Sequence, residues 1–125
     1  MKIKIRKADK LFSDYIRTRD GWTCKVCRTG YPVGSRGLHN SHFHGRRKEN
    51  TRYDPLNCDA ICMHDHQNFH ENPLQYVEWK RKQLGETEFQ KLNLRAEILT
   101  RRDDQKAILY CENLLKSQEI LQNSF

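Results

Sequence analysis

Between positions 38 and 47 the chain reads LHNSHFHGRR, with His39, His42 and His44 inside six positions and Arg46, Arg47 directly behind them. Imidazole titrates near neutral pH, so it can hold a cation or take a proton from water. The arginines add fixed positive charge that suits a phosphate. From His42 it is fifteen residues to Asn57, nine more to His66 and four more to His70. If 63–70 is helical, His66 and His70 lie one turn apart on one face and can reach one cation. A second set of ligands is sulfur-based. Cys24-Lys25-Val26-Cys27 is a knuckle, and NCDAICMHDH offers its complement in Cys62 and a neighbour. Thiolates suit a closed structural zinc site. Imidazoles with room for water suit a catalytic divalent metal.

Composition fits this chemistry. The chain has 125 residues, enough for one modest core, with 36% hydrophobic residues, 31% charged residues and a formal charge of +7. The charge suits a polyanion, nucleic acid before an anionic membrane. No apolar run approaches the ~18 residues of a membrane span. MKIKIRK has no apolar stretch behind its basic residues, so no secretory signal is expected and the expected location is cytoplasmic. Five cysteines, an odd count in a reducing compartment, argue for metal ligation over a disulfide framework.

The elements that must position these groups follow from periodicity and breakers. Residues 1–8 read as a basic arm. Leu11, Phe12, Tyr15 and Ile16 share one face of a helix over 9–20 that Gly21 stops. A turn-rich stretch with Gly30, Pro32, Gly34 and Gly37 precedes a strand over 38–43, and a long polar loop leads to LNCDAIC. A short helix is expected over 63–70. Asn72-Pro73 opens the next, which ends at Gly85, and ETEFQKLNLRAEIL reads as another. Thr100 to Asp103 resembles a capping box, with Asp as the fourth residue, and opens a last helix carrying Ile108, Leu109, Leu114 and Leu115. Cys111 and Trp79 read as core, Cys58 as packing beneath the site, and His44 as a loop residue.

The order C-x2-C, a strand ending in His, Asn, and C-x2-ligand-His resembles the HNH endonucleases, the ββα-metal or His-Me finger fold. Within them the chain is most similar to the NinG, or Rap, recombination endonucleases of lambdoid phages. The resemblance rests on LHNSHFHGR, RYDPLNCDAIC and NPLQYVEWKRKQLG and covers roughly residues 10–95. It implies an α+β fold, a zinc-stapled ββα core with flanking helices. The domain would span 9–99, with a C-terminal helix over 100–125 on the domain or on a partner subunit.

The resemblance also implies roles. His42 matches the general base that deprotonates water, Asn57 the asparagine that holds the base-bearing segment, and His66 the metal ligand on the helix. His70 occupies an extra ligand position. The catalytic metal would be Mg²⁺ or Mn²⁺. Many members carry Asp or His immediately before the base, where this chain has Ser41. His39 shares the face of Ser41 and can take that place. For structural zinc the set is Cys24, Cys27, Cys62 and Asp65, with Cys58 or His64 as competitors for the last place. Arg46, Arg47, Lys48, Lys80, Arg81 and Lys82 are the expected phosphate contacts. The implied activity is hydrolysis of DNA phosphodiesters in branched intermediates such as Holliday junctions, by a homodimer. A phage nicking or packaging nuclease and a non-catalytic zinc-stabilised DNA-binding module are the alternatives.

Overall fold

A computed structural model describes residues 4–123, so the first three residues of the expected basic arm and the last two of the chain lie outside the described residues. The arm is shorter than expected. Helix α1 runs Lys7–Arg19 and starts two residues early, because the Asp9 carboxylate accepts the Arg6 amide at 2.8 Å and so caps the first turn itself. Ala8, Phe12 and Ile16, spaced by four, are its buried stripe. Arg17 and Arg19 sit in its last turn, where the dipole favours cations.

Strands β1 (Leu38–His42) and β2 (Cys58–Cys62) pair antiparallel, with Leu38 opposite Cys62 and His42 opposite Cys58. Between them the polar loop contains a one-turn helix α2 (Glu49–Arg52) and a 3-10 turn, Pro55–Asn57. Helix α3 (Met63–Glu71) springs directly from β2. Then come α4 (Pro73–Leu84) and α5 (Glu86–Ala96), separated by Gly85 at φ 82°, a left-handed conformation that glycine adopts without a Cβ penalty. The last helix, α6 (Asp104–Asn123), begins later than the expected Thr100. The Thr100 hydroxyl donates to Asn50 Oδ1, and Asp103 Oδ1 takes the Lys106 amide at 3.1 Å, so Asp103 is the working cap.

The result is a mixed fold, helices around one small two-stranded sheet. Two apolar clusters flank that sheet. One joins Cys24, Leu38, Ala60, Ile61, Cys62 and Phe69, with Trp22, Tyr76 and Trp79 packed against it. The other joins Ala8, Phe12, Ile16, Cys58 and Cys111, covered by Ala107, Ile108 and Leu114. Helix α6 therefore lies along α1 of its own chain, while Leu109, Tyr110, Ile120 and Leu121 remain exposed. No helix among the described residues is long and apolar enough to cross a membrane. Phe12 is fully buried at the meeting of α1, β2 and α6. Phe12→Ala should cost about 3–5 kcal/mol, read from urea midpoints, because the cavity it leaves is walled by several elements.

Candidate metal centre and histidine sites

The first site is built by the knuckle and by the β2–α3 junction. The Cys24 amide donates to Thr29 O and the Arg28 amide to Cys24 O, both at 2.9 Å, which closes the turn around Cys27. Arg28 takes a left-handed φ of 66° to do so. The Lys25 amide reaches Ala60 O at 2.9 Å and pins the knuckle to β2. Cys62 is the last residue of β2 and the N-cap of α3, so Asp65 falls one turn away on the same side. One donor atom from each of Cys24, Cys27, Cys62 and Asp65 lies within 4.8 Å of all the others.

The spacings suit a tetrahedral ion. Such an ion ~2.3 Å from sulfur and ~2.0 Å from oxygen sets two sulfurs about 3.8 Å apart, and sulfur and oxygen about 3.5 Å apart. Here Cys27 Sγ and Cys62 Sγ are 3.9 Å apart, and Asp65 Oδ2 is 3.4 Å from Cys24 Sγ and 3.2 Å from Cys62 Sγ. Burial, together with the neighbouring Asp65 and Cys24, pushes the Cys62 thiol up to about 12. A metal would have to displace that proton. Neither competitor for the fourth place is gathered into this cluster: Cys58 is buried against α1 and α6, and His64, beside Asp65, is exposed.

Alternation along β1 sorts the histidines. His39 and Ser41 face α3 and α4, whereas Asn40 and His42 face α1. His39 Nδ1 and His66 Nδ1 stand 3.0 Å apart with the rings edge to face. That distance fits an N–H···N bond. It also fits two nitrogens side by side on an octahedral ion at ~2.1 Å, which would be about 3.0 Å apart. Burial, with His39 and His70 nearby, lowers the pKa of His66 and favours the neutral ring that binds cations. His70 is near but does not close a triad. Among the described residues the cysteine cluster is the only group of three or more such donors gathered this tightly. Ser41 Oγ is engaged with Tyr76 Oη at 2.8 Å.

His42 ends β1 and is held differently. Its Nε2 lies 3.0 Å from the Arg52 carbonyl, which can only accept, so Nε2 carries the proton and Nδ1 is left as the acceptor. Burial lowers its pKa to about 4, with Arg46 adding to the effect, so the ring is neutral at physiological pH. His42 makes no hydrogen bond or ring contact with His39, His66 or His70 among the described residues. Asn57 clamps the next segment: Oδ1 takes the His44 amide at 2.8 Å, and Nδ2 donates to His44 O at 2.9 Å and Thr51 O at 3.1 Å. His44 is a tethered loop residue, its Nε2 2.9 Å from Asn93 Oδ1.

Lys80 is a correction. It is buried, with Nζ 2.7 Å from Asp59 Oδ2, and so presents no charge to a phosphate. The periodicity of α4 did not reveal that one of its basic positions faces inward. Arg81 and Lys82 are exposed, although Arg81 pairs with Glu86 and lies over Phe89. Lys48 is paired with Glu97 on the surface. Arg46 comes close enough to influence His42.

Asp9, Arg52 and Tyr53 were missed. RYDP lies within a stretch that reads as solvated loop, yet Arg52 is 2% exposed and bidentate to Asp9, 43 positions away. Against the cost of burial, the Arg52 and Tyr53 hydrogen bonds and the Arg6 amide hold the Asp9 carboxyl down at about 2. Acid should act in two stages. His42, depressed from 6.5 to about 4, contributes fully above pH 6.5, and its share is lost as pH falls toward 4. Asp9, depressed from 3.8, contributes about 2 kcal/mol above pH 3.8, lost as pH falls through about 2. Urea midpoints of His42→Gln should lack the first slope. The gap between wild type and Asp9→Asn should narrow below pH 3.8.

No protein-family model, curated protein or solved structure matches this chain.

Proposed function

We propose that the chain is a metal-dependent endonuclease of the HNH type that hydrolyses DNA phosphodiesters, with branched recombination intermediates such as four-way junctions as its substrate class. The observation that carries this reading is the β1–β2–α3 unit, in which His39 from the ribbon and His66 from the helix bring their Nδ1 atoms to 3.0 Å. His39 and His66, with His70 next to them, would hold Mg²⁺ or Mn²⁺, which when bound would neutralise charge on the scissile phosphate and the leaving oxygen. Cys24, Cys27, Cys62 and Asp65 would hold zinc as a structural staple.

His42 supplies a neutral imidazole whose Nδ1 can take the proton of an attacking water. It lies across the ribbon from the His39–His66 pair. The family pattern implies the same relation, because a ligand immediately before the base must point to the opposite face of the strand. As the last residue of β1, His42 can meet a phosphodiester that wraps the strand end. Asn57 holds the segment that follows, as the resemblance implies.

The second reading, a zinc-stabilised DNA-binding module without catalysis, draws on Ser41. Its hydroxyl is committed to Tyr76 at the position where many members carry a ligand. A panel of four-way junction, flap, nicked and linear duplex DNA, incubated with Mg²⁺ or Mn²⁺, separates the two. Cleavage, preferentially of the junction, is expected from the nuclease. Binding without cleavage of any form supports the module. A symmetric junction also calls for two copies of the chain, so a homodimer is part of the proposal.

Binding should be driven by phosphate contacts from Arg46, Arg47 and the exposed end of α4. For duplex DNA, Arg46→Ala should reduce the slope of log K against log salt by about 0.9. Lys80→Met should leave that slope unchanged, since its charge is spent on Asp59. Fluorescence anisotropy across a salt series measures both.

A further inference from the structure

Helix α2 is a single turn, too short to hold its own conformation, yet its last residue supplies the carbonyl that fixes the His42 ring. Something else must place that carbonyl. Arg52 Nε donates to Asp9 Oδ1 at 2.8 Å, and its Nη2 donates to Asp9 Oδ2 at 2.6 Å. The same carboxylate takes the Tyr53 hydroxyl at 2.9 Å and the Arg6 amide at 2.8 Å, so all four of its acceptor positions are used. The third nitrogen of Arg52, Nη1, donates to Arg46 O at 3.0 Å and ties in the loop behind His42. Tyr53 stacks edge-on against Phe12, whose ring lies beside His42.

A buried ion pair is poorly explained by stability alone, because desolvation offsets most of its Coulombic gain and apolar residues can fill the same space. What it supplies is geometry: a planar fork meeting a carboxylate permits one orientation. We propose that Asp9 and Arg52 are positioning residues for His42, a buried fork that locks the Arg52 carbonyl and through it the Nε2-protonated tautomer of the ring. The proposal rests on His42 acting as the base, but the tautomer can be read without any cleavage.

The groups facing His42 are Arg46 from the following loop, Asp9 and Phe12 from α1, Arg52 from α2 and the buried Cys58 thiol opposite it on β2. Two of the charged groups belong to the fork, so breaking it should change both the tautomer and the titration of the ring.

The test is nitrogen-15 NMR of the histidine side chains in the full zinc-loaded chain, for wild type, Arg52→Lys and Asp9→Asn. Wild type is expected to show His42 protonated at Nε2 alone above pH 6. Both variants should show averaged shifts from mixed tautomers and a midpoint lower still than in wild type, because the Arg52 carbonyl bond and the Asp9 charge both favour the protonated ring. Where cleavage is measurable, kcat should fall about tenfold or more with KM little changed. Should either variant not fold, Tyr53→Phe, which removes one donor and leaves the fork, should move the shifts partway in the same direction. Protonation of wild-type His42 at Nδ1 would overturn the proposal, as would folded variants with unchanged tautomer and midpoint. Absence of cleavage by wild type on every DNA form would instead overturn the nuclease reading, and the NMR result would still decide the positioning.

Discussion

If the cluster of Cys24, Cys27, Cys62 and Asp65 binds zinc as proposed, chelation should unfold the centre of the chain. The cluster brings Cys24 and Cys27 of the knuckle to Cys62 and Asp65 at the start of α3, and Cys24 and Cys62 also belong to the apolar cluster on that side of the sheet. Structural zinc supplies about 10–16 kcal/mol of apparent binding free energy at neutral pH. A domain of this size has about 5–15 kcal/mol of net stability, so losing the metal removes an amount comparable to the whole. Purified protein should contain one zinc per chain. Cys62→Ser should lower that content and the melting temperature together. It should also lose the amide dispersion of residues 22–31 and 58–70. A metal-free chain with the same melting temperature and the same dispersion would refute a structural zinc.

His42→Ala should reduce cleavage by about 10²–10⁴-fold, the span expected for loss of a general base. Zinc content and DNA affinity should hardly change, because the ring belongs to neither the sulfur cluster nor the arginine surface. The nearest competitors have other commitments: His39 faces His66, and His44 is tied to Asn57 and Asn93. His44→Ala should therefore cut within a few-fold of wild type. Single-turnover assays at saturating protein check both, and a dead His44→Ala beside an active His42→Ala would reassign the base.

Much of this arrangement is legible in the sequence where the signal is local. The C-x2-C knuckle, Cys62 with Asp65 one helical turn on, and Asn72-Pro73 before α4 each depend on residues within a few positions of one another. Period-two alternation correctly pairs His39 with Ser41 on one face, and the same rule carries His42 to the other. The choice of Asp65 over Cys58 and His64 needed the third dimension, since Cys58 points into the α1–α6 interface. The buried ions were hidden for the same reason. Lys80 is one of several basic residues in WKRK, and only its encounter with Asp59, 21 positions away, removes it from the surface. Arg52 looks like part of a solvated run until α1 brings Asp9 beneath it. Thr100 has a capping residue's chemistry, but Asn50 takes its hydroxyl, and the helix waits for Asp103.

The central claim is that the imidazole pair joining ribbon and helix holds the cation that supports phosphodiester cleavage. Its most direct test is the single-turnover rate on four-way junction DNA as a function of Mn²⁺, for wild type and His66→Ala with zinc content matched. The expected result is saturable activation of wild type, with His66→Ala needing much more Mn²⁺ and partly recovering at the highest concentrations. Cleavage that responds identically to Mn²⁺ in both proteins, or a wild type that binds the junction and leaves it intact at every concentration, would contradict the claim.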